Sequence, residues 1–147
     1  MIYGTAWKED RTKALTELAL REGFRGIDTA NQRRHYFEAA VGEGLRAAYR
    51  DELVTRADLF IQTKFTYRDG QDHRLPYDLE ASIAAQVAQS LASSLDHLGT
   101  DYLDSYLLHG PASGRGWTRD DTAAWAAMAP TRRCRNTSGF AVSNENP

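Results

Sequence analysis

The sequence has 147 residues, of which 41% are hydrophobic and 26% are charged, as in a soluble globular protein of one ordinary domain. Its formal net charge of −2 gives no electrostatic reason to expect nucleic acid or an anionic membrane as a partner. The single cysteine, Cys134, can form no disulfide within the chain and supplies no metal cluster, so we expect a cytoplasmic protein without a metal site. No apolar run approaches the roughly 20 residues that span a bilayer, and the N-terminus has no signal-peptide pattern.

Extended and helical patterns alternate along the chain. In the helical segments apolar residues recur every three or four positions, and Gly23 and Gly99 end two of these segments. The predicted order is strand 2–6, helix 12–22, strand 24–30, helix 36–50, strand 58–65, helix 78–98, strand 102–109, helix 120–128 and strand 138–143. Residues 130–136 have neither pattern and are predicted to form a loop.

Five strands separated by four helices predict an α/β fold with parallel strands and right-handed crossovers. Two architectures fit this order, an open doubly wound sheet and part of a (β/α)8 TIM barrel, and periodicity does not choose between them. A complete barrel needs about 250 residues. In the barrel alternative, residues 1–147 would form a single partial barrel domain that stops after its fifth strand.

A polar residue stands at the C-terminal end of each of three predicted strands. These residues are Asp28, Lys64 and His109. In a β/α barrel such positions face the catalytic mouth, where side chains from different strands converge. Taken singly, each has an ordinary interpretation: Asp28 as a turn cap, Lys64 as a solvated loop lysine and His109 as a packed histidine.

The short motifs around these residues resemble those of the aldo-keto reductase family, in the same order along the chain. They are GTAW at 4–7, GIDTA at 26–30, YFEAAVG at 36–42, QTK at 62–64, SLDHLGTDYLD at 94–104, LLHGP at 107–111 and VSN at 142–144. The resemblance covers nearly the whole chain. It implies a (β/α)8 barrel that reduces aldehydes or ketones, as small-molecule substrates, to alcohols with NADPH, or alternatively NADH.

The resemblance also implies a role for each of four residues. Tyr36 would protonate the carbonyl oxygen, Lys64 would tune the tyrosine, Asp28 would hold the lysine, and His109 would orient the carbonyl and so contact the substrate. The physical reason is that an isolated phenol has a pKa of about 10, which makes it a poor acid–base group at neutral pH. A neighbouring ammonium favours the phenolate and lowers that pKa.

The tyrosine position has two candidates. The family's commoner spacing, counted back from Glu38, falls on His35, whereas Tyr36 is the phenol within reach. No Gly-x-Gly-x-x-Gly follows a strand, because residues 42–44 lie inside a helical pattern, so a Rossmann phosphate loop is not predicted. The resemblance implies cofactor contacts from Gly4, Thr5, Ala6, Asp28, Ser143 and Asn144.

Two further expectations concern the chain as a whole. A five-stranded partial barrel leaves strand edges unpaired, so we expect marginal stability and self-association through those edges. The second is a non-enzymatic alternative, in which an inactive fragment or pseudoenzyme acts as an interaction module. In the family, later segments supply the residues that anchor the adenosine and phosphate of the cofactor, and they also form much of the substrate pocket. The sequence therefore indicates neither the group at the cofactor's 2′ position nor the substrate.

Overall fold

The computed structural model describes residues 1–129 and the backbone of residues 134–136. Strands and helices alternate throughout this part of the chain. In order they are β1 (Ile2–Gly4), α1 (Thr12–Arg21), β2 (Gly26–Asp28), α2 (Glu38–Arg50), β3 (Phe60–Phe65), α3 (Ile83–Leu98), β4 (Leu103–Leu108), α4 (Arg119–Met128) and β5 (Cys134–Asn136). Short 3-10 helices lie at Glu9–Arg11, Arg56–Asp58 and Arg68–Gly70. None of the helices formed by these residues is long and apolar enough to cross a membrane.

The five strands form one parallel sheet in the order β1-β2-β3-β4-β5, which confirms the predicted α/β fold. Every strand therefore lies beside its neighbour in the chain. A doubly wound sheet reverses its strand order at a switch point, and the described sheet has no such reversal. The sequential order is that of a β/α barrel, with the C-terminal ends of all five strands at one edge.

Apolar side chains of the strands and helices meet in one core. Ile27, Ile61, Tyr106 and Leu108 of the sheet are fully buried. The helices contribute Leu20, Val41, Leu45, Val87, Leu91, Leu95, Leu98, Ala124 and Met128 to the same cluster. All six residues of β4 are buried, as expected of a strand in a parallel sheet that is covered on both faces.

Two glycines inside α2 allow neighbouring helices to approach. A Cβ on Gly42 would lie 1.9 Å from the carbonyl oxygen of His97 in α3, and one on Gly44 would lie 3.0 Å from Cβ of Thr16 in α1. The glycine pair is therefore a helix-packing feature. This agrees with the prediction that residues 42–44 are helical and form no phosphate loop.

Other motif residues hold the sheet and helices together. Glu38, at the start of α2, is buried and accepts a hydrogen bond from the Thr63 hydroxyl on β3 at 2.5 Å. Its second oxygen lies 3.3 Å from Nδ1 of His97. Asp104 of β4 pairs with Arg56 at 2.8 Å and accepts the backbone N–H of Ile61 at 3.0 Å. These motif residues are structural.

The predicted starts of two helices were wrong. Helix α2 begins at Glu38, not at residue 36, so Tyr36 lies in the preceding loop. Helix α3 begins at Ile83, not at residue 78, because Ser82 caps it by accepting the backbone N–H of Ala85 at 3.3 Å. Upstream, Asp78 accepts the N–H of Glu80 at 3.0 Å, a local side-chain bond that competes with helix formation.

The predicted loop at residues 130–136 was also wrong in part, since it contains β5. β5 pairs with β4, and Leu103 lies opposite Cys134 and Ser105 opposite Asn136. Residues 134–136 form a strand because they pair with the buried strand β4. Pairing with a distant strand cannot be predicted from the spacing of apolar residues within the segment itself. The strand predicted at 138–143 lies outside the described residues.

Candidate active site

Three of the predicted site residues lie at the C-terminal ends of adjacent strands. Asp28 ends β2, Lys64 lies near the end of β3, and His109 follows β4 directly. The Lys64 ammonium is 2.7 Å from Oδ2 of Asp28 and donates to the carbonyl oxygen of Thr29 at 2.9 Å. Because only 6% of the lysine side chain is exposed, these two acceptors replace water around a buried charge.

The other oxygen of the Asp28 carboxylate has its own donor. The side-chain amide of Gln62 donates to Oδ1 of Asp28 at 2.6 Å. Gln62 and Lys64 are two residues apart on β3 and therefore face the same side of the sheet. Gln62 was not among the predicted site residues, although this strand alternation could have identified it.

The Tyr36 ring lies among these groups. It is buried, with 8% exposed, and the centroid of its ring is 5.1 Å from Nζ of Lys64. The ring meets that of His109 edge to face, with centroids 5.7 Å apart and an interplanar angle of 71°. The structure thus brings the four residues Asp28, Tyr36, Lys64 and His109 into one cluster.

His35, the alternative to Tyr36, has a different neighbour. Its ring stacks on Trp7 with a centroid distance of 3.9 Å and an interplanar angle of 30°. The backbone also joins them, since Trp7 N–H donates to the carbonyl of His35 at 2.8 Å. The ring that contacts both the lysine and His109 is that of Tyr36.

His109 is enclosed and uncharged at neutral pH. Burial, followed by the repulsion of the nearby Lys64 ammonium, lowers the pKa of His109 to about 4. Nδ1 of its ring is 2.8 Å from the hydroxyl oxygen of Thr66, and its backbone N–H donates to the carbonyl of Phe65 at 2.9 Å. A neutral imidazole carries one ring proton, so it can donate one hydrogen bond and accept one.

The turn after β1 lies beside Asp28. Thr5 is fully buried and donates both its backbone N–H and its hydroxyl to the carbonyl of Asp28, each at 3.0 Å. A Cβ on Gly4 would meet no atom within 4 Å, so open space lies above this residue. Ala6 is half-buried in the same turn. Ser143 and Asn144, the other predicted cofactor contacts, lie outside the described residues.

Two cavities adjoin the loops around the cluster. One of about 180 Å³ opens beside His109 and is lined by Gln32, Thr66, Tyr67, Asp69 and the loop 110–112. A larger one of about 350 Å³ lies between the loop 30–33, the start of α2 and α3. His109 lines the smaller cavity and Tyr36 lines the larger one, so the cluster borders both cavities. Within residues 1–129 no group of three or more His, Cys, Asp or Glu side chains could hold a metal ion.

A parallel sheet in sequential strand order, with Asp28, Lys64 and His109 at its C-terminal edge, is the arrangement of a β/α barrel. Comparison of the sequence with known families refines this class. The sequence model of the Aldo/keto reductase family matches residues 1–129. The chain belongs to the aldo/keto reductase family.

Individual relatives agree with this assignment. Aldo-keto reductase AKR2E4 of Bombyx mori is 31% identical over 151 residues, covering 97% of this chain and 44% of the relative. Uncharacterized oxidoreductase YtbE of Bacillus subtilis is 36% identical over 126 residues, covering 86% and 38%. The crystal structure of AKR2E4 in complex with NADP superposes with a TM-score of 0.73 at 28% identity, covering 95% of this chain and 45% of that one. The chain thus spans less than half the length of these relatives.

Proposed function

We propose that the chain carries the acid–base centre of an NADPH-dependent carbonyl reductase. The observation that carries this proposal is the cluster of Asp28, Tyr36, Lys64 and His109, drawn from three strand ends and one loop. Membership of the aldo/keto reductase family supports the reaction class. The substrates would be small aldehydes or ketones, which become alcohols.

Tyr36 would give its proton to the carbonyl oxygen of the substrate. The Lys64 ammonium, 5.1 Å from the ring centroid, favours the phenolate that this transfer leaves behind. Asp28, 2.7 Å from the ammonium, holds the lysine in place, and Gln62 orients the carboxylate in turn. The lysine and the aspartate act on the phenol at a distance, without contacting the substrate.

His109 would orient the substrate carbonyl. Its ring lines the cavity of about 180 Å³, so a molecule in that cavity would contact the imidazole, whose ring centroid lies 5.7 Å from that of Tyr36. A ring N–H aimed at the carbonyl oxygen would stabilise the negative charge that develops there. Because burial lowers the pKa of His109 to about 4, the group acts as a neutral donor and leaves proton transfer to the tyrosine.

The residues present fit a nicotinamide cofactor, which when bound would supply the hydride for the carbonyl carbon. Open space above Gly4 leaves room for a flat ring beside Asp28. Gly4, Thr5, Ala6 and Asp28 would hold this end of the cofactor, and we assign Ser143 and Asn144 to its carboxamide. NADP in the crystal structure of the Bombyx mori relative supports NADPH as the first cofactor to test.

Binding of NADPH is the direct test of this proposal. The purified 147-residue chain is titrated with NADPH while the fluorescence of the nicotinamide is followed, and NADH is titrated in parallel. A saturable change supports the proposal. Absence of binding at millimolar concentration would contradict it and favour the interaction-module alternative.

Substitution of the tyrosine tests the assignment of the acid. In Tyr36→Phe the ring remains but the transferable proton is lost, so kcat for aldehyde reduction should fall about hundredfold or more, with NADPH affinity unchanged. His35→Phe is the matched control, because it keeps an aromatic ring against Trp7, and its kcat should stay within about threefold. Both rates follow from the loss of NADPH absorbance. The reverse result would assign the acid to His35.

A further inference from the structure

Thr66 directly follows β3, two residues beyond Lys64, and therefore faces the same side of the sheet as the lysine. It is buried, with 6% exposed. Its backbone carbonyl accepts the Tyr77 hydroxyl at 2.8 Å and the Gln71 amide at 3.3 Å. These two side chains hold the backbone of Thr66 in place beside His109.

The Thr66 hydroxyl and Nδ1 of His109 share a buried hydrogen bond of 2.8 Å. Two arrangements of protons fit that distance. The hydroxyl can donate to a bare Nδ1, in which case the single ring proton of a neutral imidazole lies on Nε2. Alternatively Nδ1–H can donate to the hydroxyl oxygen, which leaves Nε2 bare.

The buried position of Thr66 favours the first arrangement. Among the described residues the hydrogen-bond partner of its hydroxyl is Nδ1 of His109. If Nδ1 were the donor, the hydroxyl proton would have no acceptor among the described residues, and leaving a buried donor unpaired is unfavourable. In the first arrangement the hydroxyl proton is paired, and the proton on Nε2 is free to meet a ligand.

We propose that Thr66 is a positioning residue that fixes His109 in its Nε2–H tautomer, so that the imidazole presents an N–H donor to the substrate carbonyl. The tautomer assignment rests on the hydrogen bond alone, and its use in catalysis rests on the proposed function. A bare Nε2 would direct a lone pair at the carbonyl oxygen and repel it. Thr66 would thereby determine whether His109 orients the substrate or opposes its binding.

The tautomer can be read from the chain itself, without cofactor or turnover. Long-range ¹H–¹⁵N NMR spectra distinguish protonated from bare ring nitrogens, and the loss of one set of signals in His109→Gln identifies this residue among the four histidines. We expect Nε2 protonated and Nδ1 bare in the unsubstituted chain and in Thr66→Ser, which keeps the hydroxyl. Thr66→Val, which has the same shape without it, should shift His109 towards the Nδ1–H tautomer.

Kinetics complete the test on the same variants. Thr66→Val should lower kcat/KM for the carbonyl substrate about ten- to a hundredfold, with NADPH affinity unchanged. Thr66→Ser, which keeps the hydroxyl, should have a kcat/KM close to that of the unsubstituted chain. A protonated Nδ1 in the unsubstituted chain would overturn the proposal, and that spectrum needs no variant to fold. An unchanged tautomer in folded Thr66→Val would overturn it as well. An Nε2–H tautomer in a chain that fails to bind NADPH would leave the tautomer assignment intact and refute the proposed function instead.

Discussion

Lys64 is the most enclosed charged group of the candidate site, with 6% of its side chain exposed against 24% for Asp28. An ammonium so far from water needs acceptors from the protein, and two are present in Asp28 and the carbonyl of Thr29. Because Asp28 also receives the amide of Gln62, neither partner can rotate away. The position of the lysine charge relative to Tyr36 is thus determined by buried hydrogen bonds.

The buried His109 should make the fold less stable in acid. Burial, with the Lys64 ammonium second, lowers the pKa of His109 to about 4 from its usual 6.5. Between these values the unfolded chain takes up a proton that the folded chain does not, so stability decreases as the pH falls, by about 3 kcal/mol near pH 4. The melting temperature of His109→Gln should therefore decline less between about pH 7 and pH 5 than that of the unsubstituted chain.

His97 supplies a control of opposite sign. The hydrogen bond to Glu38, with burial acting against it, raises the pKa of His97. Its contribution to stability is therefore complete below the usual value near 6.5 and is lost as the pH rises through the raised value. His97→Gln should make the decline in acid steeper. Equal declines in all three proteins would contradict this account of His109.

At the scale of elements, the contact between α2 and α3 depends on Gly42. Alanine there should gain about 1 kcal/mol of helix propensity, but its Cβ would lie 1.9 Å from the carbonyl oxygen of His97. Because backbone cannot move aside cheaply, we expect Gly42→Ala to destabilise the fold by about 2 kcal/mol or more. Gly114→Ala is the control, since its Cβ would meet no atom within 4 Å. Urea unfolding of the two variants measures the difference, and equal stability would contradict the close helix contact.

Helix interiors could be predicted from the sequence, but the starts of α2 and α3 could not. Apolar spacing located the four helices of residues 1–129 because each must bury one face. The start of α3 depended on one local hydrogen bond, the cap from Ser82. The late start of α2 matters for the site because it leaves Tyr36 in the preceding loop. There the backbone N–H of Tyr36 donates to the carbonyl of Gln32 at 3.0 Å.

At the scale of the whole molecule, we predict that the 147-residue chain is marginally stable and self-associates. In the described sheet β1 pairs with β2 alone and β5 with β4 alone, and Ile2 of β1 is 56% exposed. Strands with one open side invite pairing with another chain. Light scattering should show mass increasing with concentration, and hydrogen exchange should be faster in β1 and β5 than in β3 and β4. A monomer with strongly protected amides in all five strands would contradict this prediction.

The sequence by itself determined the alternation of parallel strands and helices, and the motifs around Asp28, Lys64 and His109 indicated the family. These features are local, because the apolar periodicity and the strand-end motifs each extend over only a few consecutive residues. Only the tertiary structure decided the sequential strand order and the strand at Cys134–Asn136. It also decided that Tyr36, and not His35, is the ring beside Lys64. The hydrogen bonds that join Gln62 and Thr66 to the site were likewise visible only there. Each of these depends on partners distant in the chain, and contacts of that kind exist only once the strand ends have been brought to one edge of the sheet.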